Sequence, residues 1–421
     1  MDNFKFFILF CLLATLSCKN RSVHLVGYSD KKSYKSGEEQ TIYLSSNIIA
    51  NHYPLKLFDA AGNQILERSI DKIEHQEYGN KKPWEEGFGW KSSAHWKTPK
   101  LPSGVYYWEG KIPFVVLPES PKEVTVLVDF NTAEAYNYAG GKNLYSDNNG
   151  DKKQRARIVS FQRPLNLSLP RHSDGCLKYF AQKKYDFNYL ADMDFEDENY
   201  LKNSKLLIII GHSEYWSRKM RENLDSYVDR GGNVLLLSGN NIWWQVRYSD
   251  DRTKMICYRY PEEDPIDNFE LKTIVWLDSK LNYPIISSIG SDFRHGGFGT
   301  SRESNETGHG GYKVTDHSHP IFDETGVKNG DLIKFYSDEL DGTPESSFRG
   351  FHKSQTLGFE YAFRGKKNKS YIYEIQKSPA SGHILAIPST NICDQENAFD
   401  GESAETIKKI IDNAIAYMLK K

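Results

Sequence analysis

At 421 residues the chain is long enough for two or three domains, and its formal net charge of −2 gives no electrostatic case for nucleic acid or an anionic membrane surface as partner. Aromatic residues are abundant (26 Tyr, 22 Phe, 8 Trp), which points to folded domains with aromatic-lined surfaces rather than disorder. Cys176, Cys257 and Cys393 are far apart and show no CxxC or metal-ligand spacing. They allow one disulfide but no disulfide framework, and three buried thiols is the simpler reading.

The N-terminus opens with Lys5, an apolar run from Phe6 to Ala14, and then Thr15-Leu16-Ser17-Cys18. The run is too short to span a bilayer, and small residues follow it. It resembles a bacterial lipoprotein signal covering residues 1–17, with Cys18 as the acylated first residue of the mature chain. The expectation is an exported protein of the cell envelope, held to the membrane by its lipid.

From residue 22 to 118 the sequence predicts short strands separated by Gly and Pro turns. Examples are Val23-His24-Leu25-Val26-Gly27-Tyr28, Thr41-Ile42-Tyr43-Leu44-Ser45, Leu55-Lys56-Leu57-Phe58 and Val105-Tyr106-Tyr107-Trp108. Regular short strands of this kind predict an all-β, immunoglobulin-like β-sandwich over residues 18–118. The segment Pro118-Glu119-Ser120-Pro121 is the expected boundary.

From residue 122 to 421 strands alternate with helices. Val124–Val128 reads as a buried strand, 172–184 as a helix, and Phe187–Leu190 as a strand. Leu206-Leu207-Ile208-Ile209-Ile210 is the continuous apolar run that a central parallel strand requires. Ser217 is placed to cap a helix whose apolar face is Met220, Leu224, Tyr227 and Val228, and Gly231-Gly232 stops it. Val234–Leu237 and His383–Ile387 are further strands, and Ile407, Ile411, Ala414, Ile415 and Met418 make the last helix amphipathic. The pattern predicts an α/β domain with a doubly wound, mainly parallel sheet. Between Asn240 and about Tyr371 the alternation fails, and this stretch is expected to form excursions over the carboxyl edge of the sheet.

Sites in open α/β sheets form outside the carboxyl ends of the strands. Four polar, aromatic and Gly-rich segments are candidates for that place. They are Gly211-His212-Ser213-Glu214-Tyr215-Trp216, Ser238-Gly239-Asn240-Asn241-Ile242-Trp243-Trp244, Ala135-Tyr136-Asn137-Tyr138-Ala139-Gly140-Gly141 and Asp292-Phe293-Arg294-His295-Gly296-Gly297. None matches a phosphate loop or a dinucleotide fingerprint, so no nucleotide cofactor is indicated. No Cys or Ser sits in a tight nucleophile elbow, since Ser213 is followed by Glu-Tyr-Trp. Tyr, His and carboxylates suit metal-assisted hydrolysis or binding of a small polar ligand better than covalent catalysis.

The 211–244 block resembles the large (β) subunit of N,N-dimethylformamidase. Gly27-Tyr28-Ser29-Asp30, Ala135-Tyr136-Asn137, Ser160-Phe161-Gln162-Arg163-Pro164 and Glu339-Leu340-Asp341-Gly342 resemble it too, and the resemblance extends over most of residues 23–420. It implies a β-sandwich followed by a flavodoxin-like domain similar to glutamine amidotransferases but without their Cys. It also implies a single iron held by two tyrosines and a carboxylate, and hydrolysis of a C–N amide bond. By motif, Tyr215 is the candidate for one tyrosine. The second stays open among Tyr136, Tyr138 and Tyr189, and the carboxylate is open between Asp292 and Glu339. His212 and Glu214 are then acid–base candidates, and Asn240, Asn241, Trp243, Tyr138, Arg294 and His295 are candidates for ligand contact. The alternative function is a non-catalytic surface protein that binds a polar or sugar ligand. Assembly into a homo-oligomer stays open.

Overall fold

The computed structural model describes residues 23–421. The signal-like segment and Cys18 lie outside the described residues.

Two antiparallel sheets form the N-terminal part. One orders Leu25–Ser29, Glu39–Ser46 and Ala94–Lys97 side by side. The other contains Ser33–Tyr34, Ile112–Val116, Gly104–Trp108, Ala50–Asp59 and Gln64–Ile73, with only the short Ser33–Tyr34 pairing parallel. Alternation decides which side chains meet between them. Gln40, Ile42 and Leu44 point in from one sheet, and Leu55, Leu57, Trp108 and Phe114 from the other; all are buried. The Trp108 indole N–H donates to Gln40 Oε1 at 3.0 Å, which engages the amide oxygen between the sheets and leaves the amide nitrogen unpartnered.

The rest of the described chain is mixed α/β around a nine-stranded sheet. Its parallel half runs Asn188–Ala191, Val124–Val128, Leu206–Gly211, Asn233–Ser238 and His383–Ala386. Leu206–Gly211 is buried along its whole length between two parallel neighbours, as its apolar run predicts. The helices Asp174–Lys183, Arg218–Asp229 and Ala404–Met418 bury the apolar faces expected of them. Ser217 Oγ accepts from the Met220 N–H at 3.2 Å and caps the second of these.

The structure differs from expectation over 240–371. Much of that stretch joins the sheet: Gly311–Val314, Leu332–Lys334 and Lys353–Phe363, followed by Lys367–Gln376, extend it as antiparallel strands. Their long polar ends (Lys353 to Thr356 are exposed) mask the strand period in the sequence. Other pieces do cap the carboxyl edge. Tyr215–Ser217, Trp244–Tyr248, Lys254–Ile256 and Ile158–Ser160 make a separate four-stranded sheet there.

The reading of three free thiols is corrected. Cys176 and Cys393 form a disulfide across 217 residues, and Cys257 is free and buried. The fold brings the two Cα atoms to 4.9 Å because the segment after the last parallel strand returns beside the helix Asp174–Lys183. No helix among the described residues is long and apolar enough to cross a membrane.

Candidate functional site

The site grows out of the end of the central strand. Gly211 closes that strand at φ +82°, and a Cβ there would collide with Ser173 and Asp129. This turn brings the next residues onto fixed polar anchors. The His212 N–H donates to Asp129 Oδ2 at 2.9 Å, the Ser213 N–H to Ser238 Oγ at 3.0 Å, and the Glu214 N–H to Thr132 Oγ1 at 3.1 Å.

Glu214 is the centre of the arrangement. Its Oε1 accepts from the Tyr145 hydroxyl at 2.6 Å and its Oε2 from the Tyr136 hydroxyl at 3.1 Å. The two hydroxyls are 2.8 Å apart, and the rings stack at 4.4 Å between centroids. Tyr136 is 37% exposed, through its ring face; its hydroxyl end is enclosed. Burial, and then Glu214, push both phenols up from their ordinary pKa. Burial also raises Glu214 itself, against the opposing charge of His212.

Tyr136 closes the short helix Phe130–Ala135, and the loop beyond it is pinned from inside by Arg163. That guanidinium is fully buried and donates to the carbonyls of Glu134, Asn137, Ala139, Lys142 and Ser160 at 2.8–3.2 Å. Tyr145 is held against the same helix by the Leu144 N–H, which donates to the Ala135 carbonyl at 3.0 Å.

Beside this trio lies an ion pair. His212 Nε2 is 3.1 Å from Glu339 Oε2 and 3.4 Å from Glu214 Oε2, out of line for a hydrogen bond to either. Burial disfavours the imidazolium, but Glu339, Glu214 and Asp129 outweigh it and raise His212 to about 9. Burial likewise disfavours the Glu339 carboxylate, yet His212 and the Asn240 amide, which donates at 2.9 Å, bring it down to about 2. His172 packs edge-on to His212 at 5.5 Å and is lowered to about 4, by burial and by the His212 charge. Glu339 adopts φ +39°, an uncommon strained conformation for a side chain of its size.

Of the residues singled out in the sequence, His212, Glu214, Tyr136, Glu339 and Asn240 come together. Tyr138 lines the adjoining cleft with its hydroxyl 2.6 Å from Ser146 Oγ. Tyr215 does not join them. It is fully buried behind the trio, and its hydroxyl accepts from Arg259 at 3.0 Å. Tyr189 is buried in the edge strand Asn188–Ala191, and its N–H donates to Ser103 Oγ at 2.9 Å. Asp292 is buried and engaged by His295 Nδ1 at 2.8 Å, while Arg294 is exposed. Asn241 serves the fold, donating to Asp341 Oδ2 at 2.7 Å, and Trp243 packs edge-on against Phe293. Tyr145, His172, Asp129 and Arg259 are the site residues that the sequence reading missed. Tyr145 sits in an Asn- and Asp-rich turn nine positions after Tyr136, a pattern that signals a loop and nothing more.

The donor set suits a metal. Two phenols and a carboxylate converge within hydrogen-bond range of one another, and without their protons they carry three negative charges on hard oxygens, matched to a trivalent cation. Among the described residues no group of three or more His, Cys, Asp or Glu is arranged to hold a metal ion, so the phenols are indispensable to such a set.

A cleft of about 900 Å³ opens beside the trio. His212, Glu339, Tyr136 and His172 form its floor, while Tyr78, Phe88 and Trp90 of the N-terminal part form the facing wall.

The family model "N,N-dimethylformamidase beta subunit-like, C-terminal" matches residues 68–386. No curated protein matches the chain. Among solved structures, the mmIFT52 N-terminal domain is similar at 12% identity and TM-score 0.32, over 58% of this chain and 89% of that one. A ThuA-like protein from Bacteroides uniformis is similar at 12% identity and TM-score 0.34, over 71% and 92%.

Proposed function

The chain belongs to the N,N-dimethylformamidase beta subunit-like family, and from that premise we propose that it is an iron-dependent hydrolase of a C–N amide bond, with Tyr136, Tyr145 and Glu214 as the metal ligands. The observation that carries this reading is the meeting of both phenol hydroxyls on one buried carboxylate.

A bound ion there supplies Lewis-acid polarisation of the amide carbonyl. The protein's own groups do the rest. Glu339, kept ionised by His212 and Asn240 and facing the cleft, accepts a hydrogen bond from the attacking water and orients it. His212 holds a proton at Nε2 with no hydrogen-bond partner, available to the departing nitrogen. Asp129 fixes His212 through its backbone N–H. Ser213 Oγ accepts from the Trp216 indole at 2.9 Å, which supports a route without a serine nucleophile.

The finer fold reading goes with this one. Numbered in chain order, the parallel half of the sheet runs 2-1-3-4-5, the order of flavodoxin-like domains, which supports the relation to glutamine amidotransferases. The two facing sheets before residue 118 support an immunoglobulin-like sandwich, with domains at 18–118 and 122–421. The Cys176–Cys393 disulfide supports an oxidising compartment and so an exported chain, while the proposed lipid anchor at Cys18 rests on the N-terminal sequence alone.

The test is elemental analysis and visible absorption of purified protein, followed by amine release from a panel of amides. Iron near one per chain, tyrosinate absorption and amine release are expected. An iron-loaded protein that releases no amine from any amide sinks the hydrolase reading.

A further inference from the structure

We propose that the amide this protein hydrolyses is the N-acyl group of an amino sugar within an oligosaccharide, recognised by the cleft wall that the N-terminal sandwich supplies. The proposal rests on the amidase reading above and adds its substrate class.

Size is the first argument. A cleft of about 900 Å³ is far more than a dialkylamide of a few atoms can fill, and it leads from His212 and Glu339 to the sandwich. Surface is the second. Large aromatic side chains are normally covered, yet Tyr78, Tyr136 and Tyr138 are 56%, 37% and 45% exposed, and all three line this one cleft.

Their rings are also fixed in advance. Tyr136 stacks on Tyr145, and the Tyr138 hydroxyl is tied to Ser146. Tyr78 packs on Phe88 at 4.6 Å, Phe88 meets Trp90 at 5.2 Å, and Tyr28 backs both. An aromatic face held in this way binds without a large loss of side-chain freedom.

Polarity is the third argument. His75 and Glu77, paired with each other at 2.6 Å, stand with Asn166 and Arg171 at the exposed rim of the same cleft. A wholly apolar or aryl amide would make no use of these groups. A sugar ring offers C–H faces for the tyrosines and hydroxyls for the rim. Its N-acyl group is a secondary amide of the kind the trio and the His212–Glu339 pair are proposed to cleave.

The reaction balances with water alone. The water oxygen bonds to the acyl carbon, the C–N bond breaks, and the nitrogen takes up both protons of the water. The acyl group leaves as a carboxylate, and the sugar keeps a free ammonium.

The experiment uses the full iron-loaded chain. Calorimetry measures binding of oligosaccharides of N-acetylglucosamine, N-acetylgalactosamine and N-acetylmuramic acid, and mass spectrometry follows loss of the acyl group. Binding and deacylation of at least one are expected, with affinity reduced about tenfold or more in Tyr78→Ala. Turnover of N,N-dimethylformamide or acetamide without binding to any of these sugars overturns the proposal and leaves the amidase reading standing. Sugar binding without deacylation overturns the hydrolytic part of the proposal, and the amide panel then decides whether the amidase reading falls with it. Unchanged sugar affinity in Tyr78→Ala overturns the part assigned to the sandwich wall.

Discussion

Lys32 Nζ lies 2.7 Å from Glu134 Oε1 with both side chains buried, and this ion pair ties the N-terminal sandwich to the helix that ends at Tyr136. The Ser33 hydroxyl adds a second tie, donating to Asp194 at 2.8 Å. The sandwich is therefore part of the frame of the site as well as a wall of the cleft.

Breaking one partner of a buried pair leaves an unpaired charge in a low dielectric. Lys32→Met is expected to destabilise the protein by roughly 3 kcal/mol, within the range of such losses. Adding Glu134→Leu should not restore it, because Glu134 Oε2 also lies 3.7 Å from the buried Arg163 guanidinium and the double variant strands that charge. Urea unfolding of the three proteins checks it. A single variant as stable as wild type would show that the contact contributes nothing.

The disulfide gives a second prediction. It closes a loop of 217 residues, for which the chain-entropy model assigns about 5 kcal/mol, and native strain or residual structure reduces that figure. Cys176→Ala with Cys393→Ala should lower stability by roughly 2–5 kcal/mol. Because the bridge anchors the segment that carries Asn391 and Asp394, which face His172, the variant should also loosen that side of the site. Protease susceptibility around residues 387–400 reads this directly. Equal midpoints for oxidised and reduced wild-type protein would contradict the prediction.

A third concerns pH. Glu374 gathers His319 Nε2 at 3.0 Å, His383 Nδ1 at 2.6 Å, the Tyr417 hydroxyl at 2.9 Å and Lys421 Nζ at 3.6 Å. Burial opposes its ionisation, but the hydrogen bonds from His319 and Tyr417, with Lys421 and His383, bring it down to about 2. Its folded pKa thus lies below the usual glutamate value of about 4.3. The stabilisation is fully present above that value and is lost as pH falls toward 2, where the unfolded chain binds the extra proton. Unfolding free energy measured between pH 5 and 2 should fall less steeply in Glu374→Gln than in wild type. Identical slopes would remove Glu374 from the acid response.

Much of the larger domain was legible because its parallel strands are buried on both faces and read as unbroken apolar runs, as in Leu206–Ile210. The site turn was legible for the same reason, since the end of a central strand is where such sites form. Tyr145 was not. It reaches Glu214 only through tertiary bonds, those of Leu144 to Ala135 and of the Asn143 side chain to the Tyr136 carbonyl at 3.0 Å. The Cys176–Cys393 bond was hidden likewise, because pairing across that separation depends on topology.

The choice between Tyr145 and Tyr215 is the sharpest test of the metal set. Glu214 and Tyr215 are neighbours, and the resemblance by motif puts Tyr215 on the metal and Glu214 among the acid–base candidates. Tyr215 opens the short strand Tyr215–Ser217, paired with Trp244, and successive side chains along extended backbone point to opposite sides. Glu214 therefore faces the Tyr136 and Tyr145 hydroxyls, while Tyr215 turns into an apolar cluster with Val246, Met255 and Cys257, against which the Tyr145 ring also packs. Its hydroxyl is taken by Arg259, whose guanidinium also covers the Tyr145 ring at 4.0 Å. Tyr145→Phe should lose most of the tyrosinate absorption and much of the bound iron, because one of three anionic donors is gone. Tyr215→Phe should keep both, while losing about 1–3 kcal/mol of stability for a buried hydrogen bond to a charged group. Visible spectra and iron content of the two variants, prepared side by side, decide the matter. If Tyr215→Phe bleaches the protein and Tyr145→Phe does not, the ligands are not the trio centred on Glu214.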